Sequence, residues 1–439
     1  MNKLFNYFIS ILIIISLIII IFYQEYYIYL KSFLWAITTV FIVFVGIYLS
    51  IKNKFIQLHF LKIIKSLFNN NFKNVLSTLS VTLGAKIGVG SLAGISIALY
   101  YGGAGTIFWL CLSSLIISIN TYAEVYLALK YSKYDNKIRG PSKYIYYGLN
   151  NKYLSILYSV IILVAYILGF IPIQANTIIK SMSSININNN IIVIILVIVS
   201  ALIIFRNTKY IIKTCSILVP FMTILYLTLG IYIIINTHNL LPKLIYTIIK
   251  EGLNFQGILP SVIIIGVERG LFATEAGIGT SALSIVGERE DAKKMALSQL
   301  FGIYITTFII CTMTAIIILT TNYESLILNN INGIEIVHYS FNYHLGNIGS
   351  IALIVITIMF ALSTIISGYY YGEVSIKNIF PNIGRKLLFI FKIITVLLIY
   401  IGSIIEANYI WNIIDIVITY MAIINIYAIW KLRKKVKTN

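Results

Sequence analysis

Twice in this chain a long apolar stretch gives way to glycine-rich, polar sequence. The first interruption reads Leu83-Gly84-Ala85-Lys86-Ile87-Gly88-Val89-Gly90-Ser91-Leu92-Ala93-Gly94. The second reads Gly266-Val267-Glu268-Arg269-Gly270-Leu271-Phe272-Ala273-Thr274-Glu275-Ala276-Gly277-Ile278-Gly279. Backbone N–H and C=O groups cannot stay unpaired in hydrocarbon. Irregular backbone at membrane depth therefore lines a cavity or is buried in protein. Interrupted hydrophobic segments at matching places in two halves of a chain mark the binding site of a secondary transporter. The pattern points to passage of a small solute across a membrane.

Composition agrees with a membrane-embedded chain. Of 439 residues, 59% are hydrophobic and only 11% charged, and the mean hydropathy is +0.93; soluble domains carry about 25% charged residues. The net charge of +19 would suit nucleic acid, but the basic residues collect between apolar runs. They cluster at Lys52–Lys65, Lys130–Lys143, Arg206–Lys213, Arg289–Lys294, Lys377–Lys386 and Lys431–Lys437. That spacing is the positive-inside bias of membrane proteins, and no base-stacking platform accompanies it, so nucleic acid is not an expected partner. Cys111, Cys215 and Cys311 lie inside apolar runs without metal-ligand spacing, and the four histidines are scattered. The apolar residues 4–23 lack a small-residue cleavage site before Phe22-Tyr23-Gln24-Glu25, so they read as a retained helix, with a signal peptide as the alternative.

The apolar runs place about twelve spans, near 4–23, 31–51, 78–100, 105–131, 152–178, 190–205, 211–236, 255–285, 295–320, 348–372, 384–402 and 408–430. Alternating them from a cytoplasmic N-terminus puts every basic cluster inside, together with the C-terminus. Residues 1–75 then form accessory helices, 76–430 one transporter domain, and 431–439 a basic tail. Within the domain, approximate repeats 76–240 and 250–430 each open on a glycine-rich interruption and start from opposite sides. The outer stretch 321–347 reads as a loop or cap with a turn at Asn329-Asn330-Ile331-Asn332-Gly333.

Eight patches in consistent order resemble the alanine/glycine:cation (sodium:alanine) symporter family. They include Ala85-Lys86-Ile87-Gly88-Val89-Gly90-Ser91-Leu92-Ala93-Gly94, Gly102-Gly103-Ala104-Gly105 and Tyr122-Ala123-Glu124-Val125. Others are Gln174-Ala175-Asn176-Thr177, Leu218-Val219-Pro220-Phe221-Met222 and, most specific, Arg269-Gly270-Leu271-Phe272-Ala273-Thr274-Glu275-Ala276-Gly277. The resemblance implies an all-α polytopic membrane protein of about twelve transmembrane helices. Its core would be an inverted five-plus-five repeat of the LeuT-like, APC type, with two extra N-terminal helices. It implies sodium-coupled symport of a small neutral amino acid, alanine or glycine, at the plasma membrane. No enzymatic chemistry and no cofactor are expected beyond sodium as coupling ion. A proton-coupled permease of the same fold, using Lys86 or Glu275, is the alternative. The chain departs from the family at Ser91 (usually Asn), Ala273-Thr274 (Ser-Asn) and Gly368 (Trp). The first two departures suggest a single coupled sodium, and the third a larger pocket.

Expected substrate-binding positions are Gly88, Val89, Gly90, Ser91, Gln174, Phe272, Thr274, Glu275 and Gly277. Unwound backbone around Gly88-Val89-Gly90 offers N–H groups to a carboxylate; close helix packing through small residues is the rival reading. Gln174 suits either a ligand or an interhelical bond, and Phe272 either a lid or a core ring. Glu275 would hold a cation, the broken helix or a substrate ammonium, since intramembrane acids are functional candidates by default. Lys86 is a fixed charge or a partner of Glu275. By the resemblance, Gly84 and Ile87 carbonyls with the Ser363 and Thr364 hydroxyls form the sodium site, hard cations preferring oxygen ligands. Glu124 and Glu373 read as hydrogen-bonding anchors at cytoplasmic helix ends, and Asp415 stays unassigned.

Overall fold

The computed structural model describes residues 2–22, 26–68, 72–134, 138–182, 189–254, 259–287, 291–328 and 331–437. Every regular element among them is a helix. Eight helices are long and apolar enough to cross a membrane: Tyr29–Lys52, Gly105–Tyr134, Lys152–Met182, Thr208–Asn236, Ala292–Leu319, Ile334–Ile379, Arg385–Ile404 and Ile414–Lys435. A ninth crossing is the pair Phe72–Lys86 and Val89–Gly102, bent by 63° at its break. The expected twelve crossings thus stand at eight or nine by length and composition among the described residues. The stretches Leu4–Ser16 and Asn190–Ile204 are apolar but shorter.

The interruptions are narrower than their glycines suggest. The first helix runs through Gly84 and Ala85 to Lys86, and helical structure resumes with a 3-10 turn at Val89–Ser91 followed by Ala93–Gly102. The second runs unbroken from Leu259 to Thr274, and the chain turns only at Glu275, Gly277 and Gly279, all at positive φ. Gly266 and Gly270 lie before that turn and have a different task. They let the second broken helix approach the Gly105–Lys130 helix, as small residues four apart do in membranes. A Cβ on Gly266 would lie 2.6 Å from the Trp109 Cβ and 2.8 Å from the Thr106 carbonyl. One on Gly270 would lie 2.6 Å from the Ser113 hydroxyl.

The two broken helices run antiparallel beside each other. Thr78, Thr82 and Lys86 meet Val286, Ser284 and Ser281 in reverse order on one side of the breaks. On the other side Gly94 faces Arg269 and Gly102 faces Ile265. Two flanking helices carry π-helical turns, Val164–Phe170 and Tyr304–Cys311, a distortion that often accompanies functional sites. The stretch expected as a loop over 321–347 is largely helical. Tyr323–Leu328 and the first turns of Ile334–Ile379 occupy it, and the long helix kinks at Gly346, where φ is 61°. Asn329 and Asn330 of the expected turn, and Arg289, lie outside the described residues.

These contacts give a direct contrast. Gly266→Leu forces its side chain into Trp109 and the Thr106 carbonyl, and overpacking costs about 1–3 kcal/mol or more. The purified variant should melt well below wild type. Gly90→Ala should not, because a Cβ there meets nothing within 4 Å. Thermal unfolding in detergent reads both, and equal melting temperatures for Gly266→Leu and wild type would contradict the packing.

Candidate substrate and cation site

At the first break several backbone groups meet specific partners. Gln174 presents its side-chain carbonyl to the Val89 N–H, which donates over 3.1 Å. The Ser91 and Leu92 amides turn back onto the carbonyls of Gly88 and Val89. Thr314, just past the Tyr304–Cys311 π-turn, donates to the Ser91 carbonyl at 3.1 Å and is itself in contact with the Tyr226 hydroxyl at 2.6 Å. The Ser91 hydroxyl folds back to the Gly88 carbonyl at 2.7 Å. Beyond Gly90 the space is open, and Gly90 is only half-buried while its neighbours are buried.

The carbonyls at the end of Phe72–Lys86 face the long Ile334–Ile379 helix. Ser363 donates to the Gly84 carbonyl at 3.2 Å and to that of Ile87 at 3.4 Å. Thr364 donates to Gly84 at 3.0 Å and to Ala85 at 3.4 Å. Both hydroxyls also reach the Phe360 carbonyl one turn earlier. The helices come this close because Gly84 and Gly88 lack side chains. A Cβ on Gly84 would lie 2.6 Å from the Ser367 hydroxyl, and one on Gly88 2.4 Å from that of Thr364.

The second break is organised by an acid from a neighbouring helix. One carboxylate oxygen of the fully buried Glu124 accepts from the amides of Gly277 at 2.8 Å and Gly279 at 3.0 Å. It also accepts from the Asn425 amide at 2.9 Å, and Asn425 donates in turn to the Gly277 carbonyl at 2.9 Å. Tyr144 donates to the Asn425 side chain, and Tyr158 to the Ile278 carbonyl. Glu275 itself sits at φ 49°, a left-handed conformation that costs a non-glycine residue about 1–2 kcal/mol. Its carboxylate accepts from the Tyr166 hydroxyl at 3.1 Å. Lys86, buried between the two breaks, donates to the Ser281 hydroxyl at 3.0 Å.

On the opposite side of the breaks the contacts are aromatic and cationic. The half-buried Phe272 lies between the rings of Trp35 and Trp411, with centroids 5.8 and 6.0 Å away. The Arg269 guanidinium sits 5.3 Å from the Phe272 ring and 5.9 Å from that of Trp411, and Glu268 is 3.7 Å from it. Asp415 is paired with Lys31 of the Tyr27–Lys52 helix.

The structure therefore brings together Gly84, Ile87, Gly88, Val89, Gln174, Ser363 and Thr364 from the expected set, with Gly90 facing open space. At two expected substrate-binding positions the polar groups have partners within the protein. The Thr274 hydroxyl bonds back to the Gly270 carbonyl at 2.8 Å and receives the Ala276 amide. The Gly277 amide is taken by Glu124. Gly368 does not enlarge a pocket, because a Cβ there would meet the Tyr166 ring at 3.1 Å and Ile171 at 3.3 Å. Glu124 is an anchor as expected, but of the second break rather than of a helix end. Glu373 joins its helix to Thr208–Asn236 through the Thr208 hydroxyl at 2.9 Å, and pairs with Lys377 one turn along its own helix. Nothing in the sequence singles out Thr314, Tyr158, Tyr166 or Asn425. They sit in mostly apolar runs, with no local pattern to distinguish them.

Two antiparallel broken helices with their breaks side by side in a helical bundle are a feature of many secondary transporters. The sequence profile of the Sodium:alanine symporter family matches residues 20–439. The chain belongs to that family. It is 30% identical over 409 residues to the probable sodium/glutamine symporter GlnT of Bacillus subtilis, covering 90% of this chain and 84% of that one. To the amino-acid carrier protein AlsT of the same organism it is 28% identical over 412 residues, or 91% and 87% of the two chains. To the sodium/alanine symporter AgcS of Methanococcus maripaludis it is 27% identical over 423 residues, or 91% and 92%.

Removing the Glu124 carboxylate leaves two buried amides without an acceptor, each costing about 1–3 kcal/mol. Glu124→Ala should therefore lose more thermal stability than Glu124→Gln, which keeps a carbonyl oxygen for Gly277 and Gly279. Melting curves of the two purified variants check the order, and equal losses would mean the carboxylate does not hold the break.

Proposed function

We propose that this protein couples the entry of one sodium ion to that of a small neutral amino acid, alanine or glycine, across the plasma membrane. Both termini would lie in the cytoplasm. The observation that carries the reading is that the Ser363 and Thr364 hydroxyls lie 3.2 and 3.0 Å from the Gly84 carbonyl, with Ser363 also 3.4 Å from that of Ile87. Neighbouring oxygens of an octahedron with metal–oxygen distances of about 2.3–2.6 Å lie roughly 3.3–3.7 Å apart. A small expansion would thus admit a cation.

The amino acid would bind beside it, its carboxylate at the Gly88-Val89-Gly90-Ser91 backbone, with Gln174 and Phe272 close by and Glu275 near the second break. Sodium at Gly84 and Ile87 would order the break whose next residues receive the carboxylate, so each ligand would favour the other. The antiparallel run of the broken helices supports an inverted five-plus-five repeat, 76–240 and 250–430, behind accessory residues 1–75. A single positive charge entering against 100 mV contributes about 2.3 kcal/mol, enough for roughly fiftyfold accumulation. The hydroxyl of Ser91 bonding inside its own turn supports one sodium rather than two.

A proton-coupled reading draws on Lys86, an ammonium buried between the breaks and held by Ser281. The two readings separate in one assay. Labelled alanine should accumulate in proteoliposomes under an inward sodium gradient and not when potassium replaces sodium. Thr364→Val, which removes an oxygen and keeps the shape, should raise the half-saturating sodium concentration at least about tenfold, the loss of one oxygen ligand being worth about 1.4 kcal/mol or more. Accumulation driven by a pH gradient without sodium would overturn the sodium reading and favour Lys86.

A further inference from the structure

The connection between the accessory helices and the first broken helix is built to face a charged surface. Residues 52–73 contain five lysines, at 52, 54, 62, 65 and 73, one histidine and no acid. The Phe60–Leu67 helix buries Ile63 and Ser66 and packs beside Ala292–Ile303. Its opposite flank carries Leu61, 73% exposed, and just beyond its end Phe68, 74% exposed. At 100° per residue these two lie within about 20° of each other, with Lys65 about 40° and Lys62 about 100° from Leu61 on one side of that stripe. An apolar stripe bordered by lysines is the signature of a helix lying in the membrane interface.

A second observation is the turn that precedes it. Lys54 and Phe55 sit in succession at φ 54° and 51°, a costly backbone for non-glycine residues. The strain is held by the Phe55 amide on the Ser50 carbonyl at 2.7 Å, and by Gln57 on the Ser50 hydroxyl at 2.6 Å. Tyr304 locks the far side through the Gln57 carbonyl. What this construction achieves is to point Phe55 and Lys54 outward, both exposed. Among the described residues no carboxylate pairs with Lys54, Lys62, Lys65 or Lys73; the nearby Asp291 caps its own helix through the Lys293 and Lys294 amides.

We propose that residues 54–68 together with Lys73 form a binding platform for anionic phospholipid. Phe55, Leu61 and Phe68 enter the acyl boundary, and Lys54, Lys62, Lys65 and Lys73 pair with headgroup phosphates. Juxtamembrane lysines gain this attraction only from negatively charged lipid, so the platform discriminates phosphatidylglycerol from phosphatidylcholine. Its chain continues directly into Phe72–Lys86, the helix that carries the Gly84 carbonyl. Lipid held here therefore bears on the position of that half-helix. The inference stands on the membrane-spanning reading and does not depend on which solute or ion is carried.

The test uses the full chain with a fluorophore on Leu61→Cys, reconstituted in vesicles that contain either brominated phosphatidylglycerol or brominated phosphatidylcholine at the same mole fraction. The labelled wild-type chain supplies the background from native cysteines. Quenching should give phosphatidylglycerol a relative binding constant about threefold or more above phosphatidylcholine. In the variant K54Q/K62Q/K65Q/K73Q the two lipids should quench equally, with the fluorophore still in the interface. Equal quenching in the parent, or an excess that survives in the variant, would overturn the proposal.

Discussion

A polar backbone group inside a membrane must have a partner, and the core of this structure is arranged around that requirement. Each broken helix gives up helical hydrogen bonds, and side chains from helices far away in sequence meet some of the freed groups. Glu124 and Asn425, 301 positions apart, meet at the second break. Gln174, Thr314, Ser363 and Thr364, from three other helices, meet at the first. The packing follows from this. Gly84 and Gly88 admit the hydroxyls of Ser367 and Thr364, and Gly266 and Gly270 bring the second broken helix against the Gly105–Lys130 helix.

The two ends of the paired broken helices differ in kind. On the side of Thr78, Thr82 and Lys86 the contacts are short polar bonds between buried residues, including Thr82 with Gln299 at 2.7 Å. On the side of Gly94 and Arg269 they are a half-buried cation among aromatic rings. Polar bonds between buried groups hold a fixed geometry, and breaking them leaves unsatisfied partners. A cation over rings tolerates sliding. The first end is therefore held by the more specific bonds.

The placement of the two breaks and the membrane-spanning character are legible in the sequence, because hydrocarbon tolerates glycine-rich polar backbone only where protein or a cavity receives it. Gln174 is visible for a related reason, as a donor and acceptor in a mostly apolar helix, and Ser363 and Thr364 through the family resemblance. The extent of the breaks is not legible. Gly266 and Gly270 look like the glycines of the turn, yet they serve packing, and only the conformation at Glu275, Gly277 and Gly279 separates the two uses. Nor is the target of Glu124, whose partners lie more than 150 positions away. The space beside Gly368 is set by the Tyr166 ring on another helix, which no local pattern announces.

If the first break serves as one structure for both cation and amino acid, the two must bind cooperatively, because each orders the backbone that the other needs. Binding of labelled alanine to the purified protein, titrated at several sodium concentrations with potassium holding ionic strength constant, tests this most directly. Alanine affinity should rise with sodium, and by linkage sodium affinity should rise with alanine by the same factor. Alanine affinity that stays the same across the sodium series would contradict a shared site.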